Sequence, residues 1–194
     1  MKKAVFTSFL LLIISFFYCC KKTDSSSSNP IANHNGFTIK NIFYNTEKAG
    51  IAIAHDTFAL VFYSTSVSFN INEQHWKGVG HGVAFDELIS DSMVNGFPVG
   101  NYLYQENEQP GTFSDGQSLM NYNFNEDTGV EKGCIQGNIN IIKNGNQFQI
   151  KYNLLNEDSS RETGVFNGLI PDITTWFHEK KIQKQVRIIN KKIK

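Results

Sequence analysis

Nine residues, Glu73-Gln74-His75-Trp76-Lys77-Gly78-Val79-Gly80-His81, hold the densest set of reactive side chains in this 194-residue chain. With Asp86 they offer imidazole nitrogens and carboxylate oxygens, the donors that hold zinc when three or four converge at about 2 Å. The six-residue step from His75 to His81 matches no recognised zinc motif. On an extended strand His81 points with Val79, Val83 and Phe85 toward the apolar face, which makes it a hydrogen-bonded core histidine. No metal and no cofactor is expected. His55 and Asp56 are adjacent, so their side chains diverge on an extended chain and make a poor proton relay; they read as a turn before a strand at 57–63. Ser64, Ser66 and Ser68 read as hydroxyls on a solvent face, and no Gly-x-Ser-x-Gly elbow surrounds them. Gly78-Val79-Gly80-His81-Gly82 lacks the Gly-Lys-Ser/Thr ending of a phosphate loop.

Two acidic groups, Glu126, Asp127 and Glu131, and Glu157, Asp158 and Glu162, carry oxygens of the kind that bind Ca²⁺. Neither follows the Asp-x-Asp-x-Asp-Gly loop, and both read as solvated turns. Cys134 is the one cysteine beyond residue 20, so an internal disulfide is excluded and it reads as a small buried hydrophobe. A nucleophilic role for Cys134 or a hydrolytic one for His81 would need partners that spacing alone does not supply.

The elements that must position these residues are strands. Gln147-Phe148-Gln149-Ile150-Lys151-Tyr152-Asn153-Leu154 alternates polar and apolar, as do Met120 to Asn125 and Ser66 to Ile71. Phe58 to Tyr63 is apolar on both faces, which predicts a strand covered on both sides. Further strands are expected at 37–44, 79–89, 99–105, 132–142 and 161–170. Asn144-Gly145 between two alternating runs predicts a tight hairpin with positive φ. The fold class is all-β, an antiparallel meander of about eight or nine strands that closes as a barrel or splits into a two-sheet sandwich. Tyr102 and Tyr104 share a strand, with Leu103 opposed. They are core in a filled interior and pocket-lining in a hollow one.

Charge narrows the function. Residues 23–175 carry 17 acidic and 7 basic side chains, which argues against a nucleic-acid partner. The last 19 residues reverse this, with seven basic residues and one acid, and Ile182, Val186, Ile189 and Ile193 fall on one helical stripe. That stretch reads either as a short amphipathic C-terminal helix facing anionic lipid or the acidic body, or as a frayed, solvated basic end. Trp176 and Phe177 read as docking on the body.

Met1-Lys2-Lys3 followed by an apolar run to Tyr18 is too short to span a bilayer and fits the apolar region of a signal peptide. The run ends in Phe17-Tyr18-Cys19-Cys20. This resembles the lipobox of bacterial lipoproteins, with Cys19 as the small residue before the modified cysteine and Phe17 at the usually aliphatic position. The resemblance covers about the first 30 residues. It implies cleavage before Cys20, acylation of Cys20 and anchoring in the cell envelope at the outer membrane. Two or more acyl chains give stable anchoring, and Lys21-Lys22 would face anionic head groups. The Ser/Asn-rich stretch that follows cannot repay ordering entropy by burial. The expected organisation is therefore a signal peptide at 1–19, a lipidated Cys20 with a flexible tether over 20–35, a β domain over 36–175 and a basic amphipathic tail over 176–194. The function this predicts is a membrane-anchored binding module for a small apolar or amphipathic ligand or a partner protein. The alternatives are a non-catalytic structural or interaction component of an envelope assembly and, last, a hydrolase.

Overall fold

The computed structural model describes residues 34–54, 57–70, 73 and 75–175. The signal peptide, Cys20, nearly all of the tether, His55-Asp56 and the 176–194 tail lie outside them. Fifteen strands occur among the described residues, more than the eight or nine expected. Four come first: β1 (Gly36–Ile39), β2 (Ile42–Asn45), β3 (Lys48–Ala54) and β4 (Thr57–Tyr63). A small hairpin, β5 (Ser68–Asn70) with β6 (His75–Lys77), precedes the long β7 (Val79–Ile89). A second small hairpin, β8 (Met93–Val94) with β9 (Phe97–Pro98), precedes β10 (Gly100–Tyr104) and β11 (Thr112–Phe113). The chain then runs through β12 (Asp115–Asn123), β13 (Thr128–Asn144), β14 (Gln147–Asn156) and β15 (Arg161–Gly168).

Eleven of these strands form one sheet in the order β2-β1-β15-β14-β13-β10-β11-β7-β4-β3, with β12 inserted between β13 and β7. The all-β class holds. Only β12 to β15 run as a consecutive meander, and the sheet is mixed, because β10 and β11 pair in parallel at Leu103 and Thr112. The sheet is not a closed barrel. Its end strands β2 and β3 share no ladder, and the edge of β3 meets the segment after β15 at one parallel bridge. There the Ile51 N–H donates to the Pro171 carbonyl at 3.0 Å and the Ile173 N–H donates to the Ile51 carbonyl at 2.7 Å. Pro171 has no N–H of its own, so a regular ladder cannot be built through it.

The open sheet curls, and its inner faces pack against each other. Phe62 from β4 stacks on Tyr152 of β14 at 5.9 Å and meets Phe166 of β15 at 5.2 Å. Phe85 from β7 meets Tyr152 edge-on at 5.1 Å. Each such ring pair adds about 1 kcal/mol beyond the apolar area it buries. Side chains fill this centre, and Tyr102 belongs to it: it is fully buried, edge-on to Phe58, with its hydroxyl donating to the Val99 carbonyl. The Tyr102–Tyr104 strand therefore lines core, since Tyr104 packs on Phe113 and only Leu103 points outward.

Two turns depart from the sequence expectation. Residues 37–44 are a hairpin and not one strand, because Lys40 and Asn41 take φ of 50° and 66°, the pair of left-handed values a type I′ turn demands. At the Asn144-Gly145 hairpin, Asn144 pairs with Gln147, so the two central residues are Gly145 and Asn146. Gly145 has φ of 61° and Asn146 is not among the left-handed residues, which is the type II′ pattern. Gly164 answers to a different constraint. The Tyr152 ring lies across it on the neighbouring strand, and a Cβ there would stand 2.0 Å from the ring.

These two glycines separate backbone strain from steric strain. Gly145→Val has open space around it and should destabilise by roughly 1 kcal/mol through φ alone. Gly164→Ala should cost roughly 2 kcal/mol, because the Tyr152 ring must move out of the core. Urea denaturation of both variants checks this, and Gly164→Ala losing less than Gly145→Val would contradict the assignment.

Candidate functional site: an aromatic cleft on the outer face

Along β4 the inward residues Phe58, Leu60 and Phe62 are buried, which turns Val61 and Tyr63 to the other side of the sheet. The same alternation on β7 turns Gly82, Ala84 and Asp86 outward, opposite Gln117 and Leu119 of β12. Small residues on adjacent strands leave a hollow. The β5–β6 hairpin overhangs it with Phe69 and Trp76, and the result is an open cleft of about 480 Å³. That size lies within the usual range for small-molecule sites.

A β-bulge completes the wall. Leu119 pairs with Gly82 but Tyr122 pairs with Gly80, so β12 holds one extra residue. Asn121 sits at that point with φ of 49°. Met120 stays in the core, while Tyr122 and Phe124 move to the outer face and join the cleft. The bulged N–H of Asn121 donates to Nδ1 of His81 at 3.0 Å. His81 is half-buried, edge-on to Tyr44 at 5.0 Å. Burial lowers its pKa, with Glu47 opposing, and an Nδ1 that accepts a hydrogen bond suits the neutral ring. The histidine singled out in the sequence thus holds the bulge that aims Tyr122.

The rings meet in sequence around the cleft. Tyr63 to Trp76 is 5.0 Å, Phe69 to Trp76 is 5.2 Å, Trp76 to Phe124 is 6.2 Å and Tyr122 to Phe124 is 5.0 Å. The Tyr122 hydroxyl donates to Asp127 at 2.6 Å, and Glu131 also reaches it. Those two carboxylates push the phenol pKa up, Asp127 first. The Gln117 amide donates to Glu131 at 2.9 Å. Asp127 and Glu131, expected as parts of a solvated turn, are exposed but converge on one hydroxyl.

The second acidic group divides. Asp158 is exposed and holds Lys132, Lys40 and Ser160, and its bond to Lys132 is the leading cause of its lowered pKa. Glu162 is fully buried, which overturns the solvated-turn reading. Its parity on β15 is that of Gly164 and Phe166, and it lies inside the curl. Ser118 Oγ donates to Glu162 Oε2 at 2.6 Å, and Asn156 Nδ2 stands 3.5 Å from the same oxygen. Among the described residues, Glu162 Oε1, Asn156 Oδ1 and Tyr152 Oη find no hydrogen-bond partner. Burial pushes the Glu162 carboxyl up to about 7, against the hydrogen bonds from Ser118 and Asn156 and the charge of Lys132.

The other sequence candidates stay apart. Among the described residues, no three His, Cys, Asp or Glu side chains group so as to hold a metal ion. His75 is exposed and Glu73 pairs with Lys77 at 2.5 Å. Ser64 is buried and not on a solvent face. Its hydroxyl accepts from the His81 N–H at 2.7 Å and donates to the His81 carbonyl at 3.0 Å. Cys134 is buried, donates to the Gln136 carbonyl, and has its thiol pushed up to about 11 by burial, a state unsuited to nucleophilic attack. Comparison with protein-family models, curated proteins and solved structures finds no match to this chain.

A buried carboxyl with a raised pKa holds its proton more tightly in the fold than in the unfolded chain. Its contribution to stability is greatest below about 4.5 and falls as pH climbs to about 7. His81, with its lowered pKa, works in the opposite direction below 6.5, so the measurement is differential. Glu162→Gln should gain on wild type by roughly 3 kcal/mol between pH 4.5 and 8, with the gap levelling off above pH 7. Denaturation curves for the two proteins that run parallel across this range would refute the assignment.

Proposed function

We propose that this chain is a bacterial envelope lipoprotein, anchored at the outer membrane through an acylated Cys20, whose β body is a binding module for a small amphipathic ligand. The observation that carries the binding reading is the outer-face cleft. Five aromatic side chains from three separate parts of the chain, Tyr122 buried and the other four half-buried, line it around a floor of Val61, Gly82 and Ala84. A concave site lined mainly by aromatic side chains with a few polar groups is the usual form of a small-molecule pocket. The anchoring half rests on the Phe17-Tyr18-Cys19-Cys20 stretch and the short apolar run before it.

A second reading, an interaction component of an envelope assembly, is favoured by one feature. The end strand β2 exposes Ile42 at 56% and Phe43 at 42%, and among the described residues only β1 pairs with it. Such an edge can add a strand from another protein. A hydrolase is disfavoured, since His81 and Cys134 are engaged in separate backbone hydrogen bonds.

Cys20→Ala should remain uncleaved by the lipoprotein signal peptidase and should fail to incorporate labelled palmitate, while Cys19→Ala should still be processed. Label that survives Cys20→Ala and disappears with Cys19→Ala would move the anchor to Cys19. Label absent from the wild type would overturn the lipoprotein reading.

A further inference from the structure

We propose that residues 176–194 of this chain dock as an amphipathic helix along the outer face of β3 and β4, with Ile182, Val186, Ile189 and Ile193 against the sheet. The docking goes beyond the ligand reading of the cleft and does not depend on it.

The outer face of β3 is covered where an end strand would ordinarily meet water. Ala49, Ile51 and Ile53 pair with Phe62, Leu60 and Phe58, which point into the core. Gly50, Ala52 and Ala54 therefore point outward, opposite Val61, Ala59 and Thr57. Gly50 and Ala52 are nevertheless buried, Ala52 at 4% exposure. Ile173 lies over Gly50, where a Cβ would stand 2.6 Å from its Cδ1, and Ile173 is itself only 2% exposed. A side chain resting on an outer face is closed off from water only if something lies across it. The outward residues are mostly small, so a helix can approach this part of the sheet closely.

The position of Thr175 identifies the cover. The segment before it runs parallel to β3 at Ile51–Asp172, and Thr174 Oγ1 accepts from the Ile53 N–H at 2.9 Å. Thr174 and Thr175 are helical. Asp172 Oδ1 accepts from the Thr174 N–H at 2.8 Å, as a capping carboxylate does at a helix start. The 19 residues after Thr175 thus continue from a capped turn that already lies at this face. As a helix they would span about 28 Å. Strands of seven residues such as β3 and β4 run about 23 Å, so the tail is long enough to follow their whole length. Its aliphatic residues form one stripe, which suits Ala52, Ala59 and Val61. Its seven basic residues and one acid meet a body of opposite sign, with 17 acidic and 7 basic side chains over residues 23–175. Anionic lipid and a second copy of the chain compete for the same stripe, and both are arms of the test.

The test places a photoreactive residue in the full chain, as Val186→p-benzoylphenylalanine on the stripe or Lys184→p-benzoylphenylalanine on the opposite side. Each protein is irradiated in detergent and again on phosphatidylglycerol vesicles, and the adducts are mapped by mass spectrometry. The probe at 186 should insert into residues 48–63 of its own chain in both settings, and the probe at 184 should not. Adding Ile182→Asp and Ile189→Asp should abolish the adduct from 186, with a thermal melt confirming that the body is still folded. Insertion into lipid in place of residues 48–63, a crosslinked dimer, insertion elsewhere on the body or no adduct at all would each overturn the docking.

Discussion

Everything in this fold depends on the last strand and the few residues after it holding both ends of one curled sheet. β15 pairs with β1 from Gly36–Val165 to Ile39–Glu162. Asn35 clamps that junction, accepting from the Asn167 N–H at 2.7 Å and donating to its carbonyl at 3.0 Å. Past β15 the chain crosses to β3, where Ile173 packs against Gly50 and Thr174 Oγ1 accepts from the Ile53 N–H at 2.9 Å. Strand twist and the bulges curl the sheet, and this strap holds its two ends in place. Across the curl, Phe62 and Phe85 on one side reach Tyr152 and Phe166 on the other. The curl also encloses Glu162, and the outer surface of the same strands, β4, β7 and β12, carries the cleft.

The strands that alternate cleanly were legible. β14 and β15 follow a strict buried-exposed rhythm because one face meets the core and the other meets water. β3 gave no such signal. Ala49, Gly50, Ile51 and Ala52 are all buried, so period two vanishes where both faces are covered. The β1–β2 turn was hidden because Lys40 is a residue that sterics rarely place at positive φ. The strand order was out of reach for another reason: local patterning carries no information about pairings such as β1 with β15.

The cleft shows how one residue defeats a correct pattern. Met120, Tyr122 and Phe124 alternate without fault, and by parity all three share a face. The bulge at Asn121 moves Tyr122 and Phe124 to the opposite side from Met120. Nothing local announces it, and its hydrogen-bond acceptor, His81, is 40 residues away. Glu162 was legible in principle, since it keeps step with Gly164 and Phe166. Its acidic neighbours Glu157 and Asp158 drew it into a surface reading instead. A charged residue in step with core positions is the sequence signal of a buried carboxyl.

The Asn35–Asn167 clamp spans 132 residues, and this has a consequence for how the protein is made. Synthesis runs from the N-terminus, so β1 and β3 emerge long before the segment that covers them. Until that segment appears, the nascent chain cannot complete its sheet, and non-local closure of this kind is slow. It also makes the fold intolerant of truncation, because a chain that stops short of Arg161 lacks the partner of its first strand and bares two sheet edges at once.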